Sequence, residues 1–191
     1  MNPSSSRLTF ALLLLTSATT AVGSTTLIHA GKLLAVPGKS VTTQQTIVIE
    51  GERIVDIRKG FSAPAEFEGD VKVIDLKNQF VLPGLMDLHV HLQGELGPKN
   101  DSETLKMSPQ QVEMRSVMFA MRTLLAGFTT VRDAGSSPQE MYALRDGINS
   151  GWVDGPRIIA AGGVGITGGH ADVSGVSPDL MKLFTSENVC D

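Results

Sequence analysis

From Pro83 onward the chain alternates apolar runs of strand length with helical stretches that carry their own start signals. This alternation constrains the fold more than any other feature. The first run lies within Val81–Leu92, V-L-P-G-L-M-D-L-H-V-H-L, with Pro83-Gly84 setting a sharp break before it. Ser108-Pro109-Gln110-Gln111 then offers an N-cap serine, a proline at the first helical position and a glutamine that completes a capping box. Val117, Met121, Leu124 and Leu125, with Met114 and Met118, fall on one apolar face, and a core stripe is the expected role for the methionines. Gly127 ends that helix, Thr129–Asp133 reads as a second strand, and Ser137-Pro138-Gln139-Glu140 repeats the start signal for a helix to about Asn149. Arg157–Ala161 is the third strand, leading into a glycine-rich segment, 162–169. Strand, helix, strand, helix, strand at this spacing predicts parallel βαβ units.

Residues 24–82 follow a different period. Thr26–Ala35 reads as a strand containing Gly31, and Pro37-Gly38 as a turn. Thr46–Glu50 and Arg53–Arg58 flank Gly51-Glu52 as a hairpin would. Val71–Leu76 is another strand, expected to end at Lys77-Asn78, and 62–69 is a loop. The predicted organisation is a small β module over 24–82 and an α/β domain over 83–191.

Residues 1–23 have the character of a signal peptide. Arg7 is the only charge, an apolar stretch centred on Leu8–Leu15 follows, and Ala21-Val22-Gly23 places small side chains before Ser24. The apolar stretch is too short for an ordinary transmembrane helix, so no stable membrane span is expected after cleavage. An uncleaved anchor is the alternative. The expected destination is the periplasm or the medium. Cys190 is the single cysteine, so stability rests on packing and on any bound metal rather than on an internal disulfide. The net charge of −4 carries no basic stripe, which gives a nucleic-acid partner no electrostatic support.

His89 and His91 stand two apart on the first strand, where side chains alternate between faces. Both imidazoles are therefore expected on one face, with Asp87 sharing their parity. Leu88, Val90 and Leu92 point the other way, as residues covered by helices would. An H-x-H pair also occurs on strands where each histidine is simply hydrogen-bonded. A polar triad on an otherwise apolar strand is costly to bury without a partner, and two neutral imidazoles suit zinc and similar divalent ions. Asp87 reads either as a structural residue or as an acceptor that orients an imidazole N–H. Arg132 and Asp133 read either as an ion pair on the rim or as support for the metal ligands or substrate. His170, after Thr167-Gly168-Gly169, reads either as a pocket residue or as a surface loop histidine. The glycine-rich segment lacks a P-loop Lys-Ser/Thr and a full dinucleotide fingerprint, which disfavours phosphate cradling. No G-x-S-x-G elbow supports a serine nucleophile.

The Val81–Leu92 segment resembles the first barrel strand of the amidohydrolase superfamily. With G-F-T-T-V-R-D-A-G (127–135) and G-I-T-G-G-H-A-D (165–172), the match from about Leu27 onward is similar to the branch of imidazolonepropionase-like enzymes and Xaa-Pro dipeptidases. The resemblance implies the N-terminal portion of a (β/α)8 barrel, three βα units of it, preceded by a small β-sandwich module completed by C-terminal strands. Such a barrel takes about 250 residues, so this chain is expected to be part of a larger protein. The resemblance implies His89 and His91 as ligands of one or two divalent metal ions, zinc foremost, and His170 as a substrate contact. A bridging lysine, two further histidines and a catalytic aspartate would lie beyond residue 191, so no catalytic residue falls within this chain. The implied substrates are dipeptides such as Xaa-Pro, N-acyl amino acids or cyclic amides, and a homo-oligomer is compatible with all of this. The alternative is a non-catalytic fragment or binding module. A chain ending at Asp191 would leave its third strand as an unpaired parallel edge and be poorly soluble.

Overall fold

The computed structural model describes residues 24–95, 97, 106–163, 165–166, 179 and 189–190. The signal segment 1–23 and His170 lie outside the described residues. Two compact units divide at Pro83/Gly84.

The first unit is a four-stranded sheet built from β1 (Thr25–Leu33), β2 (Thr42–Glu50), β3 (Arg53–Lys59) and β4 (Val71–Val81), in the order β3-β2-β1-β4. The β2-β3 hairpin turns at Gly51, whose φ of +58° suits a residue without Cβ. Strand β4 pairs parallel with β1 and runs past the expected stop at Lys77-Asn78. The ladder slips there, from Ala30 opposite Leu76 to Lys32 opposite Phe80, and then resumes to Val81. Lys77-Asn78 therefore marks a bulge and not a strand end. Gly31 permits it, because a Cβ at that position would sit 1.9 Å from the Lys77 carbonyl oxygen. The Lys77 backbone N–H in turn donates to Asp75 Oδ1 at 3.0 Å and holds that carboxyl below its ordinary range. Ala30, Leu33 and Ile47 form the packed centre, with Ile28, Ile49 and Val81 against it. Among the described residues the module is this one sheet; a second sandwich layer is not among them.

The second unit holds a wholly parallel sheet, β5 (Leu85–Val90), β6 (Phe128–Asp133) and β7 (Arg157–Ala160), in the order β5-β6-β7. Helices α1 (Pro109–Leu125) and α2 (Pro138–Asn149) connect the strands. A short parallel pair, β8 (Gly165–Ile166) with β9 (Val189–Cys190), is also present. The α1 start is the capping box read from sequence: Gln111 N–H donates to Ser108 Oγ and Ser108 N–H donates to Gln111 Oε1. The start of α2 differs. Ser137 makes no side-chain cap bond, and its backbone is held by another residue described below.

The core joins Leu92, Ala120, Val131, Met141, Leu144 and Ile158, with Val90, Val117 and Ile148 packed against it. The α1 face that enters this core is set by Ser116 and Ala120, both fully buried. The expected methionine stripe is corrected accordingly. Met114 is 72 % exposed, Leu125 is 79 % exposed, and Met118 is exposed as well. Small side chains at 116 and 120 let the helix approach closely, and the long ones flank the contact.

Candidate functional site

Strand β5 is not a regular alternating strand. Asp87 pairs with Val131 and Val90 with Asp133, so β5 spends one more residue than β6 between those pairs. An extra residue leaves backbone groups outside the ladder, and buried or half-buried groups of that kind need other partners. Both are found. Arg132 Nε donates to the Leu88 carbonyl at 2.7 Å, and the His89 N–H donates to Asp87 Oδ1 at 3.0 Å. The bulge throws Leu88 out of the alternation, and its side chain is 62 % exposed instead of covered. Val90 and Leu92 do enter the core.

His89, within the bulge, and His91, just past it, come together. Their ring centres are 5.3 Å apart, with planes inclined at 57°. Zinc–nitrogen bonds are about 2.0–2.1 Å long, so rings at this separation can share one ion. His91 Nδ1 lies 3.3 Å from the Gly135 carbonyl oxygen. A carbonyl only accepts, so this contact puts the proton on Nδ1 and leaves the Nε2 lone pair for a cation. The donor set fits a divalent ion in this respect. Among the described residues, no three His, Cys, Asp or Glu side chains converge on one point, so the pair supplies part of a coordination shell.

Asp87 meets the histidine pair through the backbone N–H of His89. One of its oxygens serves the backbone of the bulge, and the residue lines a cavity of about 350 Å³ with His91, Phe119 and Arg122. His89 and His91 together line a second, larger cavity of about 640 Å³, shared with Gln93, Arg115 and Ser136. The two candidate acidic and basic residues of β6 also part company. Arg132 reaches back to Leu88, whereas Asp133 is 1 % exposed and accepts from backbone N–H groups. Asp133 Oδ2 accepts from Leu92 N–H at 2.7 Å and Oδ1 from Gly135 N–H at 3.3 Å. The rim ion pair considered from the sequence gives way to two separate backbone contacts, because burial of Asp133 requires each of its oxygens to find a donor.

Three residues at the site were given no role in the sequence reading. Gln93 bonds both backbone groups of Ser137, through Oε1 to the N–H at 2.7 Å and Nε2 to the C=O at 3.2 Å. Arg115 of α1 donates from Nη2 to the Gln93 carbonyl at 2.8 Å. Gly135 admits the imidazole, since a Cβ there would lie 2.8 Å from His91 Cε1. All of these are contacts between loops about forty residues apart or between a loop and a helix. The A-G that follows Arg132-Asp133 was the one local hint, and it pointed to the branch rather than to a contact.

The chain matches the amidohydrolase family over residues 80–181. A dihydroorotase of Bacillus pumilus (strain SAFR-032) is 43 % identical over 76 residues, which is 40 % of this chain and 16 % of that protein. A solved Xaa-Pro dipeptidase with methionine bound in its active site superimposes with a TM-score of 0.72 at 44 % identity, covering 81 % of this chain and 38 % of the other. A solved prolidase complexed with N-methylphosphonate-L-proline gives a TM-score of 0.67 at 28 % identity, over 87 % and 40 % of the two chains. The chain thus spans less than half the length of each of these proteins.

Proposed function

Since this chain belongs to the amidohydrolase family, we propose that it is the N-terminal part of an exported, metal-dependent hydrolase of amide bonds whose later βα units complete a (β/α)8 barrel. The observation that carries the reading is the His89–His91 pair, two imidazoles 5.3 Å apart at the C-terminal end of a parallel strand. That end of the sheet is where enzymes of this architecture place their chemistry. The likeness to a Xaa-Pro dipeptidase and a prolidase favours dipeptides with a C-terminal proline or related amides as substrates.

His89 and His91 would hold the ion, with zinc the best match to two imidazoles. A bound divalent ion of this kind lowers the pKa of its water to about 7 and polarises a carbonyl. This chain's own residues do preparatory work. Gly135 orients the His91 ring through its carbonyl, Asp133 fixes the backbone on either side of that contact, and the Asp87 and Arg132 side chains hold the bulge that carries His89. The cavity beside both histidines, lined also by Arg115 and Ser136, would receive the substrate. The segment alone is expected to be inactive. A dipeptide panel on the full-length protein tests the reading: chelation should abolish hydrolysis and zinc should restore it. Hydrolysis that survives complete removal of metal overturns it.

A further inference from the structure

We propose that Gln93 is a positioning residue for His91, acting through the backbone of Ser137 and the carbonyl of Gly135; the inference rests on the reading of His91 as a metal ligand. The Gln93 amide pairs with both polar groups of one residue, accepting from Ser137 N–H at 2.7 Å and donating to Ser137 C=O at 3.2 Å. The same Ser137 carbonyl accepts the N–H of Met141 at 3.1 Å, so the amide also holds the start of α2. Ser137 offers no side-chain cap of its own, which leaves Gln93 as the group that fixes this corner. Gln93 is itself fixed, because Arg115 donates to its carbonyl at 2.8 Å.

The geometry is that of two clasps on either side of one contact. At one end Asp133 joins Leu92 N–H to Gly135 N–H. At the other Gln93 joins its own loop to Ser137. Between them Gly135 presents its carbonyl to His91 Nδ1 at 3.3 Å, with no room for a Cβ beside the ring. A bond that long is weak and easily lost. The ring keeps one tautomer only while the carbonyl is held in place, and tautomer choice decides which nitrogen can face a cation. Asp133 holds the Gly135 N–H side of this turn, and Gln93 holds its Ser137 side.

The test uses the full-length protein that contains this chain. Long-range ¹H–¹⁵N NMR in the absence of metal reads the His91 tautomer, and titration with zinc alone reads affinity. The unaltered chain should show the Nδ1–H form. Gln93→Leu should mix the two tautomers and weaken zinc binding roughly tenfold, the low end for partners that orient a ligand, with helix content unchanged. Gln93→Glu keeps the acceptor for Ser137 N–H and loses the donor to its carbonyl, so it should fall between. Gly135→Ala should displace the ring even with Gln93 intact. A tautomer unchanged in Gln93→Leu overturns the proposal. If that variant fails to fold by circular dichroism, Gln93→Glu decides, and an unchanged tautomer there overturns it equally. An unaltered chain that shows the Nδ1–H form but binds no zinc would instead sink the metal reading, and the tautomer comparison would still judge Gln93.

Discussion

The carboxylate of Asp133 accepts the backbone N–H of Leu92 at 2.7 Å across 41 positions of sequence, and it does so while 1 % exposed. Its other oxygen takes Gly135 N–H. A buried carboxylate so placed fixes the ends of two neighbouring parallel strands, immediately after the histidine pair. Asp133→Ala would leave both N–H groups without an acceptor. Unpaired buried donors cost about 1–3 kcal/mol each, so a loss of roughly 3 kcal/mol is expected. Asp133→Asn keeps one acceptor and should lose less. Urea unfolding of the second unit checks the order; equal stability in all three proteins would show that the two bonds do not hold the strands.

His89 and His91 are expected to act as a pair toward metal. Replacing either by alanine in the full-length protein should lower bound metal, and by more than the about 10–100-fold typical of a partner that only orients a ligand. Elemental analysis after dialysis against dilute zinc reads the result. Unchanged stoichiometry in both variants would remove the two residues as ligands.

The helix starts separate two serines that look alike in sequence. Ser108 makes the reciprocal cap of α1, whereas Ser137 makes no side-chain cap on α2. Ser108→Ala should therefore cost about 1 kcal/mol, and Ser137→Ala close to nothing. Thermal melts of the two variants side by side would show the contrast, and equal losses would contradict it.

The proposed export predicts a defined mature end. Small residues at Ala21 and Gly23 suit signal-peptidase cleavage before Ser24. Mass spectrometry of the protein recovered from the periplasm or medium should find Ser24 as the first residue. A product retaining Met1 in the membrane fraction would favour the uncleaved anchor.

Much of the local structure was legible because it depends on neighbours in sequence. The capping box at Ser108, the hairpin at Gly51 and the parallel βαβ order each rest on a few adjacent residues or on a period. The histidine pair was legible for the same reason, since two residues apart on a strand fixes a face. What escaped was set by long-range closure. The bulge at Leu88 broke the parity assumed for Asp87, because a register shift depends on what β6 presents opposite. The reach of β4 past Lys77 depended on Gly31, more than forty residues earlier. The methionines of α1 matched a core period, yet Ser116 and Ala120 were chosen by how closely the helix lies on the sheet. The Gln93 clasp joins residues 44 positions apart and leaves no mark in either loop alone.

The supernumerary residue between Asp87 and Val90 has one more consequence. It acts as a phase shift: Met86 and Asp87 keep one offset against β6, and Val90 pairs at another. Removing a single residue from that interval would give a tidier ladder and would turn both imidazoles toward the opposite side of the sheet. The pairing of the two imidazoles is a property of chain arithmetic, so a variant with its histidines intact could lose it to a deletion that touches neither.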